Sequence, residues 1–295
     1  MSTTLPTPEP PQEQASPSPL ELQAELDRQD AALHDLLMRR AELVQRIAGL
    51  VVPGKPAFRP GHEAETVRRL VRRHAGVLPR QTVVRIWREL LAGCMAMQGP
   101  LLVAVCETDA TYGAVQCTRE HFGALTPLRV HPSPAQAIAD VSAGLANAAV
   151  LPMPVDGEPA RAAWWVALLH RDDPRIHVVA RLPFWSPRPE GAPRVQALVV
   201  AAAAPDRSTQ DRSLIGFELL PEMSRTRLVA ALGTAGLPPT AIILRRDAAA
   251  PVAQGLITVD GFVADDDARL PSLAAAVHAP VVLGSYAEPL AGDDA

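Results

Sequence analysis

A strongly encoded helix start at residues 18–21 is the feature that most constrains this chain. Ser18, Pro19 and Glu21 stand in the order of a capping box, in which the serine and the glutamate each accept a backbone hydrogen bond. Pro53 and Pro56 flank a glycine and end the pattern that follows. Between these limits apolar residues recur at helical spacing: Leu22, Leu26, Leu33, Leu36, Leu37, Leu43, Ile47 and Leu50. The sequence therefore predicts one long helix from Ser18 to about Leu50.

The residues before this helix and the overall charge exclude several classes of protein. Residues 1–17 are rich in Pro, Ser, Thr, Gln and Glu, which predicts a disordered tail rather than a signal peptide. No apolar run reaches the roughly 18 residues of a transmembrane helix. The net charge is −4 and the chain has three cysteines without a C-x-x-C pair. We therefore expect a cytoplasmic protein that keeps its thiols reduced and has no nucleic-acid or membrane partner.

Two further helices complete an all-helical domain predicted at residues 18–100. The second runs from about Gly61 to His74 and the third from about Gln81 to Gln98, before Gly99 and Pro100. The side chains expected to face inward are Val67, Leu70 and Val71 on the second helix, and Val84, Trp87, Leu91, Cys94 and Met95 on the third.

Each of these helices places one long polar residue on its apolar face: Arg40, Glu63 and Gln98. Two interpretations stay open on the pattern alone. Either Arg40 and Glu63 form a buried ion pair with Gln98 at a frayed helix end, or the three line a polar ligand site inside a helical bundle. Other basic residues nearby, which would suit a small dianion, are Arg39, Lys55, Arg59 and His62. Five arginines are expected on the solvated face, without a specific role: Arg39, Arg68, Arg69, Arg72 and Arg73.

Beyond residue 100, short apolar strands alternate with helical segments, which predicts an α/β domain at 101–205 and a small α+β domain at 206–295. Residues 205–212 are expected to be a linker. The predicted strands are Leu101–Val105, Leu128–Val130, Ala148–Leu151, Ile176–Ala180, Val195–Ala201, Leu214–Leu220, Ala241–Leu244, Leu256–Val263 and Val281–Leu283. The predicted helices are Ala135–Leu145, Ala160–Leu169, Arg225–Leu232 and Ser272–Val277.

Three separated stretches of the first hundred residues resemble the AroQ-type chorismate mutases, in the form fused to prephenate dehydratase. They are LELQAELDRQDAALHDLLMRRAELVQRI, FRPGHEAETVRRLVRRHAG and VVRIWRELLAGCMAMQGPL. The resemblance implies an intertwined helical homodimer that rearranges chorismate to prephenate in aromatic amino-acid biosynthesis, in the shikimate pathway. It implies no metal and no organic cofactor, because this Claisen reaction depends on positioning and electrostatics.

The same resemblance assigns roles to individual residues. Arg40 matches an arginine that binds a substrate carboxylate, Glu63 the acid that takes the substrate hydroxyl, and Gln98 the donor to the ether oxygen. Four further positions are expected to contact substrate: Gln23, Lys55, Arg59 and His62. Gln23 and His62 stand where the family has arginines, and Val51 where it has a lysine that Lys55 could replace. A weak or inactive regulatory protein that binds chorismate or another aromatic ligand is therefore the alternative function.

The remaining sequence resembles a reduced prephenate dehydratase followed by an ACT domain. PLLVAVCETDATYGAVQCTREHFG follows the opening of that periplasmic-binding-like α/β lobe, but Glu107 and Ala110 replace its loop glycines. The Thr-Arg-Phe motif of that family is absent from the sequence. We therefore expect no dehydratase activity. RSLIGFELLPEMSRTRLVAALGTAGLPPTAIILRR resembles an ACT domain, with Pro221–Ser224 at the ligand loop but without its glycine, so a structural dimerisation unit is the favoured role.

Overall fold

The structure, a computed structural model, describes residues 17–49, 58–185, 188, 190–219, 223–246 and 251–291. The chain divides into two compact units, Met1–Val51 and Val52–Ala295. No helix in the described ranges has the length and apolar character needed to cross a membrane.

The first unit consists of the helix α1, Pro19–Ala48. The predicted capping box is present: the Ser18 N–H donates to Glu21 Oε2 at 2.7 Å, and the Glu21 N–H donates to Ser18 Oγ at 3.3 Å. No residue of α1 is buried in the single chain. Six apolar residues, which we call the apolar face of α1, are each more than half exposed: Leu22, Leu26, Leu33, Leu36, Leu43 and Ile47.

The helices α2 (Pro60–Arg73) and α3 (Arg80–Ala96) open the second unit close to their predicted bounds. The prediction that Arg68 lies on the solvated face is wrong, because Arg68 is only 2% exposed. The reason is that α2 contacts α3 and also two strands of the sheet, so that a wider arc of the helix is buried. Leu70, predicted to face inward, is only half-buried.

Nine strands form one mixed sheet in the described part of the chain, in the order β2-β1-β3-β5-β4-β9-β6-β8-β7. β1 is parallel to both β2 and β3, and β4 is parallel to β9, while the other neighbours are antiparallel. The strands are β1 Val103–Cys106, β2 Leu128–His131, β3 Ala148–Pro152, β4 His177–Leu182, β5 Ala197–Ala201, β6 Asp211–Leu219, β7 Pro239–Arg245, β8 Ala253–Asp260 and β9 His278–Ala287.

The helices between the strands are α4 (Gly113–Phe122), α5 (Pro134–Ser142) and α6 (Arg225–Thr234). Two segments predicted as helices, Ala160–Leu169 and Ser272–Val277, are instead short 3-10 helices at Trp164–His170 and Leu270–Ala275. Both are rich in tryptophan, proline or small residues, which give little support to a regular α-helix without tertiary packing.

The last part of the chain has the order strand, helix, strand, strand, 3-10 helix, strand, with β6 lying between β8 and β9. This is the arrangement of a ferredoxin-like motif. β6 begins at Asp211, inside the predicted linker, and β9 is longer than the predicted Val281–Leu283. The assignment to the ACT family stays a prediction, and two residues of its predicted ligand loop, Pro221 and Glu222, lie outside the described residues.

One glycine permits the contact that joins the two halves of the sheet. β4 pairs with β9 at Val178 and Gly284. A Cβ atom on Gly284 would stand 2.1 Å from the carbonyl oxygen of Val178, and the glycine has a φ of +138°. Only glycine allows both the close approach and this backbone conformation.

Candidate functional site

A buried ion pair joins the first turn of α2 to α3. Arg88 Nη1 donates to Glu63 Oε2 at 3.3 Å, and the two residues are 4% and 7% exposed. Glu63 thus has Arg88 as a buried partner within the second unit. The predicted pair of Glu63 with Arg40 stays a prediction. The sequence did contain the evidence, since Val84, Arg88, Leu91 and Met95 are spaced four, three and four residues apart.

Burial affects both partners of this pair more than their attraction does. Burial raises the pKa of Glu63, while the positive charge of Arg88 acts in the opposite direction. Burial lowers the pKa of Arg88 to about 10, again against the attraction of Glu63. Each shift favours the neutral form, so the desolvation of the two charges works against their mutual attraction.

Arg68 connects α2 to the sheet through several hydrogen bonds. Its guanidinium donates to Ser208 Oγ at 3.0 Å, to the Gln210 carbonyl at 3.1 Å, to Glu65 at 3.1 Å and to the Glu288 carbonyl. The ring of Phe184 is near the guanidinium groups of Arg68 and Arg88, at 5.7 and 4.7 Å from its centroid. These cation–π contacts explain how two arginines are buried in one place.

The N-terminus of α2 is capped by a carboxylate from a distant part of the chain. The N–H groups of Gly61 and His62 donate to the two oxygens of Asp206 at 2.8 and 2.9 Å. Arg59 Nε lies 3.9 Å from the same carboxylate. The side chains of Arg59 and His62 are exposed here. The position where a helix N-terminus would attract an anion is therefore filled by Asp206.

The structure describes the surroundings of three other predicted site residues, Gln23, Arg40 and Gln98. Gln23 is exposed on α1 and donates to Asp27 Oδ1 at 3.1 Å, and Arg40 is half-buried on the same helix. Gln98 is half-buried just beyond α3 and donates to the Cys94 carbonyl at 3.2 Å. Lys55 and Val51 lie outside the described residues. That these residues form one site with Glu63 stays a prediction.

A second potential ligand position, at the carboxyl end of β1, is also filled by the chain itself. The Glu107 carboxylate accepts hydrogen bonds from the N–H groups of Ala114 and Val115, in the first turn of α4, at 2.9 and 3.2 Å. The N–H of Asp109 donates to the same side chain at 3.0 Å. In open α/β sheets this edge, outside the carboxyl ends of parallel strands, is where ligands commonly bind.

The N-terminal part of the chain matches a known protein family. Residues 22–99 match the family model described as chorismate mutase type II. This part of the chain carries a chorismate mutase domain. The match covers most of α1 and all of α2 and α3, including Arg40, Glu63 and Gln98.

Curated relatives extend the similarity beyond that domain. The bifunctional chorismate mutase/prephenate dehydratase of Stutzerimonas stutzeri is 26% identical over 138 residues, which are 45% of this chain and 38% of the relative. The enzyme of the same description from Aquifex aeolicus is 31% identical over 126 residues, 41% of this chain and 33% of the relative. The chain thus matches little more than a third of the length of these relatives.

Solved prephenate dehydratases are among the structures that match part of this chain. The enzyme from Streptococcus mutans superimposes with a TM-score of 0.46 and 16% identity, over 64% of this chain and 98% of that one. The likeness is one of fold only.

We predict that the Glu63–Arg88 pair can be removed together but not one side at a time. Arg88→Met should lower the free energy of unfolding by about 3–5 kcal/mol, because it leaves Glu63 buried without a cation. Adding Glu63→Leu should restore most of this loss. The measurement is urea unfolding, with Arg85→Met, an exposed change one turn earlier, as the control that stays within about 0.5 kcal/mol of the parent. A double variant no more stable than Arg88→Met alone would contradict the prediction.

A second prediction concerns acid sensitivity at His121, which is buried on α4. Burial, and secondarily the charge of Arg88, hold its pKa well below 6.5. As the pH falls below 6.5 the unfolded chain takes up the proton and the folded one does not, so stability is lost by up to about 1.4 kcal/mol per pH unit. Unfolding measured at pH 7.5 and 5.5 should show a smaller loss for His121→Gln than for the parent. His34→Gln, on exposed α1, should behave as the parent does.

Proposed function

We propose that this protein is a chorismate mutase, which converts chorismate to prephenate by an intramolecular rearrangement. The observation that carries the proposal is the match of residues 22–99 to the chorismate mutase type II family, with Arg40, Glu63 and Gln98 all inside it. The two relatives described above are named as chorismate mutases in one of their two activities.

The proposed reaction needs positioned charge rather than a nucleophile. Arg40 would hold a substrate carboxylate with a charge-assisted hydrogen bond. The amide of Gln98 would donate to the ether oxygen, where negative charge develops as the carbon–oxygen bond breaks. Glu63 would accept the substrate hydroxyl while Arg88 holds its carboxylate in place. Lys55, Arg59, His62 and Gln23 are proposed as further substrate contacts, and no step requires a metal or an organic cofactor.

A homodimer is part of the proposal. The apolar face of α1 consists of six residues, each more than half exposed in the single chain. Monomeric proteins rarely expose a contiguous apolar surface of this length, and such surfaces commonly mark an interface. A second copy of α1 presents the same heptad-like spacing and would cover it.

We do not expect dehydratase activity to accompany the mutase activity. The argument is that the Glu107 carboxylate accepts two backbone hydrogen bonds from the first turn of α4, where a ligand anion would bind, and a third from Asp109 in the preceding loop. The relatives are bifunctional, so the expectation distinguishes this chain from them.

A protein that binds chorismate or another aromatic ligand without turnover is the second candidate function. It is favoured by Glu63, which is buried against Arg88, and by Gln23, which is engaged with Asp27 at a position where the family has an arginine. The absorbance assay below separates the two candidates, since the second predicts ligand binding with no loss of chorismate above the buffer rate.

The activity prediction uses two adjacent arginines of α1. Arg40→Ala should lower kcat/KM for chorismate about 10- to 100-fold, because it removes a charged donor worth roughly 1.5–3 kcal/mol. Arg39→Ala removes the same charge from an exposed position and should leave the rate unchanged. Chorismate loss is followed by absorbance, and the product is analysed for prephenate and phenylpyruvate. Equal effects of the two substitutions would contradict the role of Arg40, and phenylpyruvate formation would contradict the absence of dehydratase activity.

The oligomer prediction is tested on the same helix. The parent should be a dimer by light scattering coupled to size exclusion. Leu36→Glu combined with Leu43→Glu should give a monomer, because two buried charges would oppose the contact. Gln45→Glu places a negative charge outside the apolar face and should leave the dimer intact. A monomeric parent would rule out the proposed assembly.

A further inference from the structure

A pocket of about 220 Å³ lies between α3, α4 and the segment that follows β4. None of the residues proposed above to contact chorismate lines it, although Arg88, the partner of Glu63, does. Arg85 and Arg88 line it from α3, and Phe184, Trp185 and Arg188 from the segment after β4. At about 30 Å³ for each water in the liquid, the volume corresponds to roughly seven waters, which is the size of a small organic molecule.

The charges around this pocket favour an anion. Arg188 is paired with Glu120, with Nη2 3.1 Å from Oε1, and Arg88 is paired with Glu63. Arg85 has no ion pair among the residues that the structure describes. Three guanidinium groups thus face two carboxylates, which leaves an excess of one positive charge at a site partly shielded from solvent.

Several of the residues that line the pocket also have a buried polar atom behind its wall. Within the described ranges, Arg88 Nε, Trp185 Nε1, Arg188 Nε and His121 Nδ1 are buried without a hydrogen bond. The Arg88 side chain is only 5% exposed. These atoms are covered by the surrounding side chains, so they do not by themselves define a ligand position in the pocket.

The remaining walls are apolar and aromatic, and the groups that could react are not activated. Phe184, Trp185 and Val84 offer flat or branched apolar surface. Burial raises the pKa of the Cys117 thiol to about 12, so the thiolate needed for nucleophilic attack is absent near neutral pH. Nucleophilic attack by Cys117 therefore has no part in the proposal for this pocket.

We propose that this pocket binds a small arylcarboxylate, with its carboxylate toward Arg85 and Arg88 and its ring against Phe184 and Trp185. The arginines supply planar donors that match a carboxylate, and the aromatic walls supply the apolar surface for the ring. Such a ligand would add a second anion site to the protein, on the other side of the Glu63–Arg88 pair from the proposed chorismate contacts of Glu63.

The test uses the full-length protein and benzoate as the probe. Benzoate should bind with one site per chain by calorimetry, and benzyl alcohol, which lacks the charge, at least tenfold more weakly. Arg85→Gln should weaken benzoate binding about tenfold, because Arg85 is exposed and its loss leaves the fold intact. Arg69→Gln, an exposed arginine on α2, is the matched control and should bind like the parent.

A second readout locates the ligand. Benzoate should change the tryptophan fluorescence of the parent, and Trp185→Phe should abolish most of this change although three other tryptophans remain. Absence of saturable binding would overturn the proposal, as would binding that neither Arg85→Gln nor Trp185→Phe affects. Inorganic phosphate that binds the pocket as tightly as benzoate would also overturn the proposal, because the aromatic wall would then contribute nothing to the affinity.

Discussion

The buried guanidinium of Arg68 determines how the helices of the second unit meet the sheet. A buried cation is unfavourable unless its donors are satisfied, and Arg68 finds acceptors in the linker before β6 and in the residue after β9. Phe184 then lies against both Arg68 and Arg88. The position of Glu63, the acid with a predicted role in catalysis, follows from these contacts, because Arg88 is its partner.

The elements that local sequence controls were predictable, and those that distant contacts control were not. Ser18, Pro19 and Glu21 lie within one turn, so the start of α1 follows from their order alone. Arg68 and Arg69 are chemically identical neighbours, yet the first is buried and the second exposed. The difference is that Arg68 donates hydrogen bonds to Ser208 and Gln210. These residues are about 140 positions away in the sequence, so no local pattern contains them.

The candidate site shows the same division. The helical spacing correctly placed Glu63 on a buried face, but it could not identify Arg88 as the partner, since both Arg40 and Arg88 fit the spacing. At the β1–α4 loop, the loss of glycine was visible in the sequence. The sequence did not show that the Glu107 carboxylate would accept hydrogen bonds from the first turn of α4. This contact depends on the direction of α4 relative to β1.

The pairing of β4 with β9 through Gly284 has a consequence for the order of folding during synthesis. β9 lies after all the other strands in the sequence and between the two halves of the sheet in space. The halves can be joined only once residues 278–287 have left the ribosome, and Arg68 gains its acceptor at Glu288 just after that. Arg68 therefore reaches its full set of acceptors only after more than two hundred residues have followed α2, although Ser208 and Gln210 are made earlier. The docking of this helix is thus a late, non-local event, although the helix itself is encoded early.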